Sequence, residues 1–504
     1  MQEKKLYAII FEEESIIYWK RIKTLEKNEK YEVFLNDKKI GTTKKTHFTC
    51  SNLIPNNKYV IKVKLSVENQ VVFSDTIQIT TKQKPVRIDV TKPPYNAIGD
   101  GKTLNTKALQ RALDDCKEGE CVYFPQGKYV SGGLFVHSNT NIYVEEGAVL
   151  QGSQNPENYL PKIKSRFEGI EQMCYQSLLN IGELDHTKGC TTENICIYGK
   201  GSIFGGGSAL HDNILKIESV AVKEYLDSLS EEELKTFESN KTVALRARGR
   251  LMQIANCENV VISGLNLGYS PAWNVHFIYS NNIITTGCKF FSMGVNNGDG
   301  WDPDSSTNCV LFDCVFDTHD DSVAIKSGKN PEGNIINRPT ENVNVFDCRA
   351  ICGNAFAIGS EMSGGVKDVF VWDCDIENTW FGLQIKSAEK RGGYIQNVQV
   401  YDSIVGQVRI TGTVGYNNDG EGAKTYAKLS DFHFENVYIT GTYNKKGELG
   451  KVAPITISGL DKDGCEIQNV IFENCKIKNQ EDGQLQNINI KRAKNINMKN
   501  LSLY

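Results

Sequence analysis

One eight-residue pattern recurs through most of this chain and constrains its fold more than any other feature. It reads Glu258-Asn259-Val260-Val261-Ile262-Ser263-Gly264-Leu265 and returns at residues 281–288, 307–314, 341–348, 367–374 and 396–403, with later copies from Gln468 and Lys494. The spacing, roughly 23 to 38 residues, is that of a solenoid repeat. Each copy alternates apolar and polar residues, as a strand with one inward face does. No copy can bury that face alone. Stacked copies can, each strand pairing in parallel with the one above. The expected fold is all-β, a right-handed parallel β-helix.

In such a stack, one repeat position forms a column. The eighth position reads Leu265, Cys288, Cys314, Cys348, Cys374, Ser403 and Cys475, an internal ladder of small, soft side chains. These thiols lack the paired spacing of a zinc site, and no metal or cofactor is expected. Asn or Asp recurs at the second position, where its side chain is expected to bond the turn backbone.

The 504 residues suffice for a large core and more than one domain. A net charge of -4 gives no electrostatic case for nucleic acid. No apolar run approaches the ~18 residues needed to span a membrane. Lys4 and Lys5 precede a short apolar stretch, Leu6 to Phe11, that Glu12-Glu13-Glu14 ends before a signal peptide could form. Fifteen Cys, an odd count placed within strands, suit reduced thiols. The expected location is cytoplasmic, or secreted if the N-terminus is truncated.

Residues 1–84 read differently. Residues 31–35 and 59–65 are expected strands, with a turn at Asn36-Asp37. Trp19 and Leu53-Ile54-Pro55-Asn56-Asn57-Lys58-Tyr59 resemble fibronectin type III domains, which implies a small N-terminal β-sandwich. Thr81 to Pro85 reads as a linker into a β-helix domain over 85–504. That domain opens with a helix, capped by Asn105 or Thr106, whose Ala108, Leu109, Ala112 and Leu113 share a face. It is expected to plug the first coil. Residues 209–245 interrupt the pattern; Ser230-Glu231-Glu232-Glu233 is a capping box, so this insertion is expected to be helical. It can wall the acidic region or merely cross the surface.

That acidic region carries the chemistry. Asp299 lies in Asn297-Gly298-Asp299-Gly300-Trp301-Asp302-Pro303-Asp304, and Asp320 and Asp321 follow His319 on the next unit. Adjacent residues of an ideal strand face opposite ways, so Asp320 and Asp321 share one cleft only if the backbone bends there. Asp302 and Asp304 are expected to be structural, accepting turn hydrogen bonds.

These motifs resemble the polygalacturonase family of glycoside hydrolases, family 28, from about Tyr95 onward. Supporting stretches are Gly99-Asp100-Gly101-Lys102-Thr103, residues 194–201, Ser270-Pro271-Ala272-Trp273 and Ala324-Ile325-Lys326-Ser327-Gly328. Residues 359–365 resemble the family's exo-acting bacterial branch. The resemblance implies inverting hydrolysis, with Asp320 as general acid and Asp299 and Asp321 activating water. It also shows two departures. The family's histidine is here Asn354, which hydrogen-bonds but carries no proton. The family's arginine is here Gln384, which cannot grip a carboxylate bidentately. Lys386 remains as a point charge, with Lys390 and Arg391 downstream. His319 either supports the acids in place of the lost histidine or is a turn residue without a role.

The expected partner is a pectic oligosaccharide, cut from its non-reducing end to release galacturonic acid. Alternatives are a galacturonidase acting on rhamnogalacturonan oligosaccharides, a non-catalytic polysaccharide-binding β-helix, and a calcium-dependent β-helical lyase. Oligomeric state is left open.

Overall fold

The computed structural model is described for residues 6–235, 237, 241–416, 419–441, 452–478 and 488–504. Lys4 and Lys5 lie outside these residues, as do four positions within the 209–245 insertion. The chain separates into two compact units, Met1–Arg87 and Ile88–Tyr504.

The first unit has a three-stranded and a four-stranded antiparallel sheet. Leu6, Ile17 and Trp19 from one and Tyr31, Val33, Ile61 and Val63 from the other share a core, so the sheets form a sandwich. The strands Tyr31–Leu35 and Lys58–Val67 contain the two expected runs. Tyr59 Oη accepts from the Ile54 N–H at 2.8 Å, tying the Leu-Pro-Tyr corner.

The second unit is a parallel β-helix whose sheets hold 13, 13 and 11 strands among the described residues. The coil register is regular: Thr307–Phe312 pairs with Asn281–Thr286 on one side and Thr340–Phe346 on the other. Inward side chains stack like on like. Phe290 lies on Phe316 and Phe434 on Phe472, each pair with centroids 4.6 Å apart. Each such pair contributes about 0.5–1.5 kcal/mol beyond area burial. The cysteine ladder is internal as expected: Cys288, Cys314, Cys374 and Cys475 are all 2% exposed or less. Their thiols bond carbonyls two residues back, as Cys314 does to Phe312 at 3.2 Å.

The second-position Asn and Asp residues work otherwise than expected. Asn259, Asn282, Asn308 and Asn342 all adopt left-handed backbone, φ 58, 56, 54 and 54°, which Asn tolerates better than most residues. Their side chains bond each other between coils, not the turn. Asn282 Nδ2 donates to Asn259 Oδ1 at 2.7 Å and Asn342 to Asn308 at 2.6 Å.

The helix Thr106–Asp115 buries Leu109, Ala112 and Leu113 in the solenoid core. Its N-cap side chain makes no capping bond; Asn105 instead closes the preceding loop, accepting from Ile98 N and donating to Ile98 O. The insertion holds the helices Gly207–Ala221, Lys223–Asp227, Glu231–Leu234 and Thr242–Leu245, with the Ser230/Glu233 capping box formed.

Candidate active site

The site lies on the outer face of the 11-stranded sheet. In the strand Trp301–Asp304, Trp301 faces the core, so Asp302 and Asp304 face outward. In Val323–Ile325, Val323 and Ile325 face inward, and Lys326 follows on the outer side. Asp299 and Asp321 precede these two strands on adjacent coils, and Gly300 N donates to Asp321 O at 2.9 Å. The backbone bends at His319 and Asp320, so both Asp320 and Asp321 reach one place. Asn354 Nδ2 bridges them, donating to Asp320 Oδ1 at 3.3 Å and Asp321 Oδ1 at 3.1 Å.

Lys326 joins the other acids. Its ammonium lies 3.0 Å from Asp299 Oδ2 and 2.8 Å from Asp302 Oδ1. It also sits over Trp273, 4.3 Å from the ring centroid. Asp302 is therefore no turn residue: it is a buried partner of Asp299. The alternating pattern of its own strand shows that it faces outward; the pairing needs the next coil. Asp304 does accept a backbone bond, from Gly328 N at 3.0 Å, but also an ion pair from Arg166 at 3.1 Å.

Four carboxyls thus meet two ammoniums, Lys326 and Lys386, and the imbalance favours protons. Burial, joined by Asp302, Asp320 and Asp321, holds Asp299 well above the usual carboxylate range despite Lys326. Burial likewise pushes Asp302 up to about 6. Asp321 is raised by burial and by Asp320, with Lys386 opposing at 3.3 Å. Asp299 Oδ1 and Asp302 Oδ2 are buried without a hydrogen-bond partner, so a proton on one of the two acids would supply the missing bond.

The remaining sequence candidates fall around this cluster. His319 meets Trp380 edge-on at 6.0 Å, and its backbone N–H reaches Ser292 Oγ. Gln384 is buried on the outer face between Ala357 and Arg409. Lys390 bonds Gly420 O, and Arg391 is fully buried on Ser360 O and Asn330 Oδ1, so Arg391 is no solvated charge. Glu361, unremarked in the motif 359–365, lies among Lys326, Arg391 and Lys386; burial would raise it, but these cations hold it below its usual range.

A hairpin of the strands Ile163–Phe167 and Ile170–Cys174 covers the outer face on the low-numbered coils. Phe167 stacks on Trp273 at 4.7 Å, Gln253 Nε2 reaches Lys164 O, and Arg166 holds Asp304. The outward residues Gln253, His276 and Asp304 are 2% exposed or less. Arg246, at the end of the insertion, fastens three distant segments. It bonds Glu168 at the hairpin tip (2.7 Å) and forks onto Asp419 at 2.9 and 3.1 Å. Lys329 holds the same Asp419.

The family model for glycosyl hydrolases family 28 matches residues 140–499, most of the chain. The chain belongs to glycosyl hydrolase family 28. A second model, rhamnogalacturonase A/epimerase, pectate lyase-like, matches residues 89–159 at the start of the solenoid. An exo-poly-alpha-D-galacturonosidase of Dickeya chrysanthemi is 27% identical over 451 residues, 85% of this chain and 73% of that one. The solved family 28 exopolygalacturonase of Yersinia enterocolitica shares the fold with TM-score 0.82 at 23% identity, covering 99% of this chain and 96% of that one. The Thermotoga maritima exopolygalacturonase aligns with TM-score 0.65 at 26% identity, over 83% and 91%.

Proposed function

We propose that this glycoside hydrolase removes galacturonic acid from the non-reducing end of polygalacturonan-type oligosaccharides, with inversion at the anomeric carbon. The observation that carries the exo mode is that one end of this face is covered. The hairpin covers the outer face over Gln253 and His276, while Arg409 and Thr411, on one higher-numbered coil of the same face, remain partly exposed. A face closed at one end favours a chain end over an internal stretch of polymer as its occupant.

The acids divide the work by environment. Asp320 is half-exposed at the bend, where a donor can reach the leaving oxygen of a sugar seated over it. With the proton of the Asp299–Asp302 pair held on Asp302, Asp299 and Asp321, each tied to an ammonium, are the acceptors for a water proton. Asn354 fills the family histidine's place as a positioning residue: it orients Asp320 and Asp321 without exchanging a proton.

The fifteen free thiols, most of them buried, support a reducing compartment and hence short imported oligomers as substrates. The test is a product profile. Incubation with galacturonate oligomers should give monomer and the oligomer shortened by one from the first turnover; a ladder of mid-sized products would reject the exo reading.

A further inference from the structure

Gln384 leaves the expected carboxylate grip without its guanidinium. The structure carries one on the neighbouring coil. The strands Leu383–Ala388 and Val408–Thr413 pair in parallel, and Gln384 is in register with Arg409. Val408 and Ile410 face the core, so Arg409 faces outward beside Gln384 and Lys386. Its guanidinium carbon lies 5.5 Å from the ring centroid of Phe381, which is 38% exposed. Phe381 N donates to Asn354 O at 2.8 Å, which places this ring one coil beyond the residue that holds Asp320 and Asp321.

Arg409 is half-buried and makes no hydrogen bond or ion pair with the described residues. Burial alone acts on it, lowering its pKa, with no carboxylate opposing. Its situation differs from the other cations of the face: Lys326 is occupied by Asp299 and Asp302, and Lys386 by Asp321. A guanidinium withdrawn from water without a partner is costly, and an arriving anion offsets that cost. Coils are spaced ~4.8 Å apart, about the repeat of one sugar in an extended chain, so a sugar beyond the cut falls over Phe381.

We infer that Arg409 and Phe381 form a subsite for an acidic sugar on the leaving side of the cut, Arg409 binding its carboxylate and Phe381 its ring face. The inference rests on the galacturonidase reading. It makes the loss of arginine at 384 a relocation of the charge by one coil, so that a uronic acid, and not a neutral sugar, is selected next to the released residue.

Two measurements test it. The first compares kcat/KM on trigalacturonate with that on the same trimer methyl-esterified at every residue except the non-reducing end. The wild type should prefer the free acid by about tenfold or more, the scale of a charged hydrogen-bonded pair. Arg409→Ala should lose that preference, and Arg409→Lys should keep part of it. An unchanged acid-to-ester ratio in Arg409→Ala would overturn the inference. The second is calorimetric binding of trigalacturonate to Asp320→Asn protein with and without Arg409→Ala. A Kd raised about tenfold supports the subsite even if the wild type hydrolyses nothing, an outcome that would sink the galacturonidase reading alone. An equal Kd in the two proteins counts against the subsite whatever the activity.

Discussion

The Lys386 ammonium lies 3.3 Å from Asp321 Oδ2, so the residue expected to hold the substrate's carboxylate already holds one of the protein's own. Its charge lowers the pKa of Asp321, against the burial that raises it. Lys386→Ala should therefore lower kcat as well as raise KM. Without the ammonium, the Asp321 carboxyl keeps its proton to higher pH. The acidic limb of kcat/KM should accordingly move up in pH, with activity at the plateau down about tenfold or more. A rise in KM alone, with an unmoved limb, would assign Lys386 to substrate binding only.

Asp302→Asn should move the same limb the other way. In the wild type, the Asp302 charge adds to the burial that raises Asp299. Replacing it with a neutral amide lowers the Asp299 pKa, so the ionised base persists to lower pH. Activity that the wild type loses as pH falls through the region of about 6, where Asp302 titrates, should survive further into acid in the variant. The check is kcat/KM followed from acid to neutral pH; a limb that stays or rises contradicts the pairing.

Arg246→Ala should both destabilise the protein and open the covered end of the outer face. It leaves Glu168 and Asp419, each with a side chain 10% exposed, without this cation, though Lys329 stays on Asp419. Breaking a buried pair costs about 3–5 kcal/mol, and urea unfolding should show a loss toward the lower end. With the hairpin tip released, internal cuts should appear among the products. Stability lost with monomer still the sole small product would make the tie structural only.

The asparagine ladder gives a test of the solenoid itself. Asn282 has φ 56° and bonds Asn259. Asn282→Gly removes the bond but keeps the left-handed backbone accessible, whereas Asn282→Ala removes the bond and adds backbone strain. The alanine variant should be the less stable, by about 1 kcal/mol. Equal losses would mean that the side-chain bond alone matters.

The alternation of the repeat makes the coils, the inward cysteine column and the outward acids legible in the sequence. Asp299, Asp320 and Asp321 stand together as the repeat register implies. What escapes is what depends on pairing between coils or on contacts distant in sequence. Asp302 reads as a turn acid because its partner, Lys326, sits on the next coil. Arg409 carries no signal because variable coil lengths hide which residue stands beside Gln384. Arg166 reaches Asp304 across 138 residues, and nothing in the local pattern of residues 163–174 marks a hairpin that covers the outer face.

The central claim is that three converging acids remove a terminal galacturonate by a single inverting displacement. Proton NMR of fresh reaction mixtures with trigalacturonate tests it most directly. The account predicts free galacturonic acid appearing first as the β-anomer from the α-linked substrate, with digalacturonate as the only other product and both lost in Asp320→Asn. An α-anomer formed first, or an unsaturated uronate product, would contradict it.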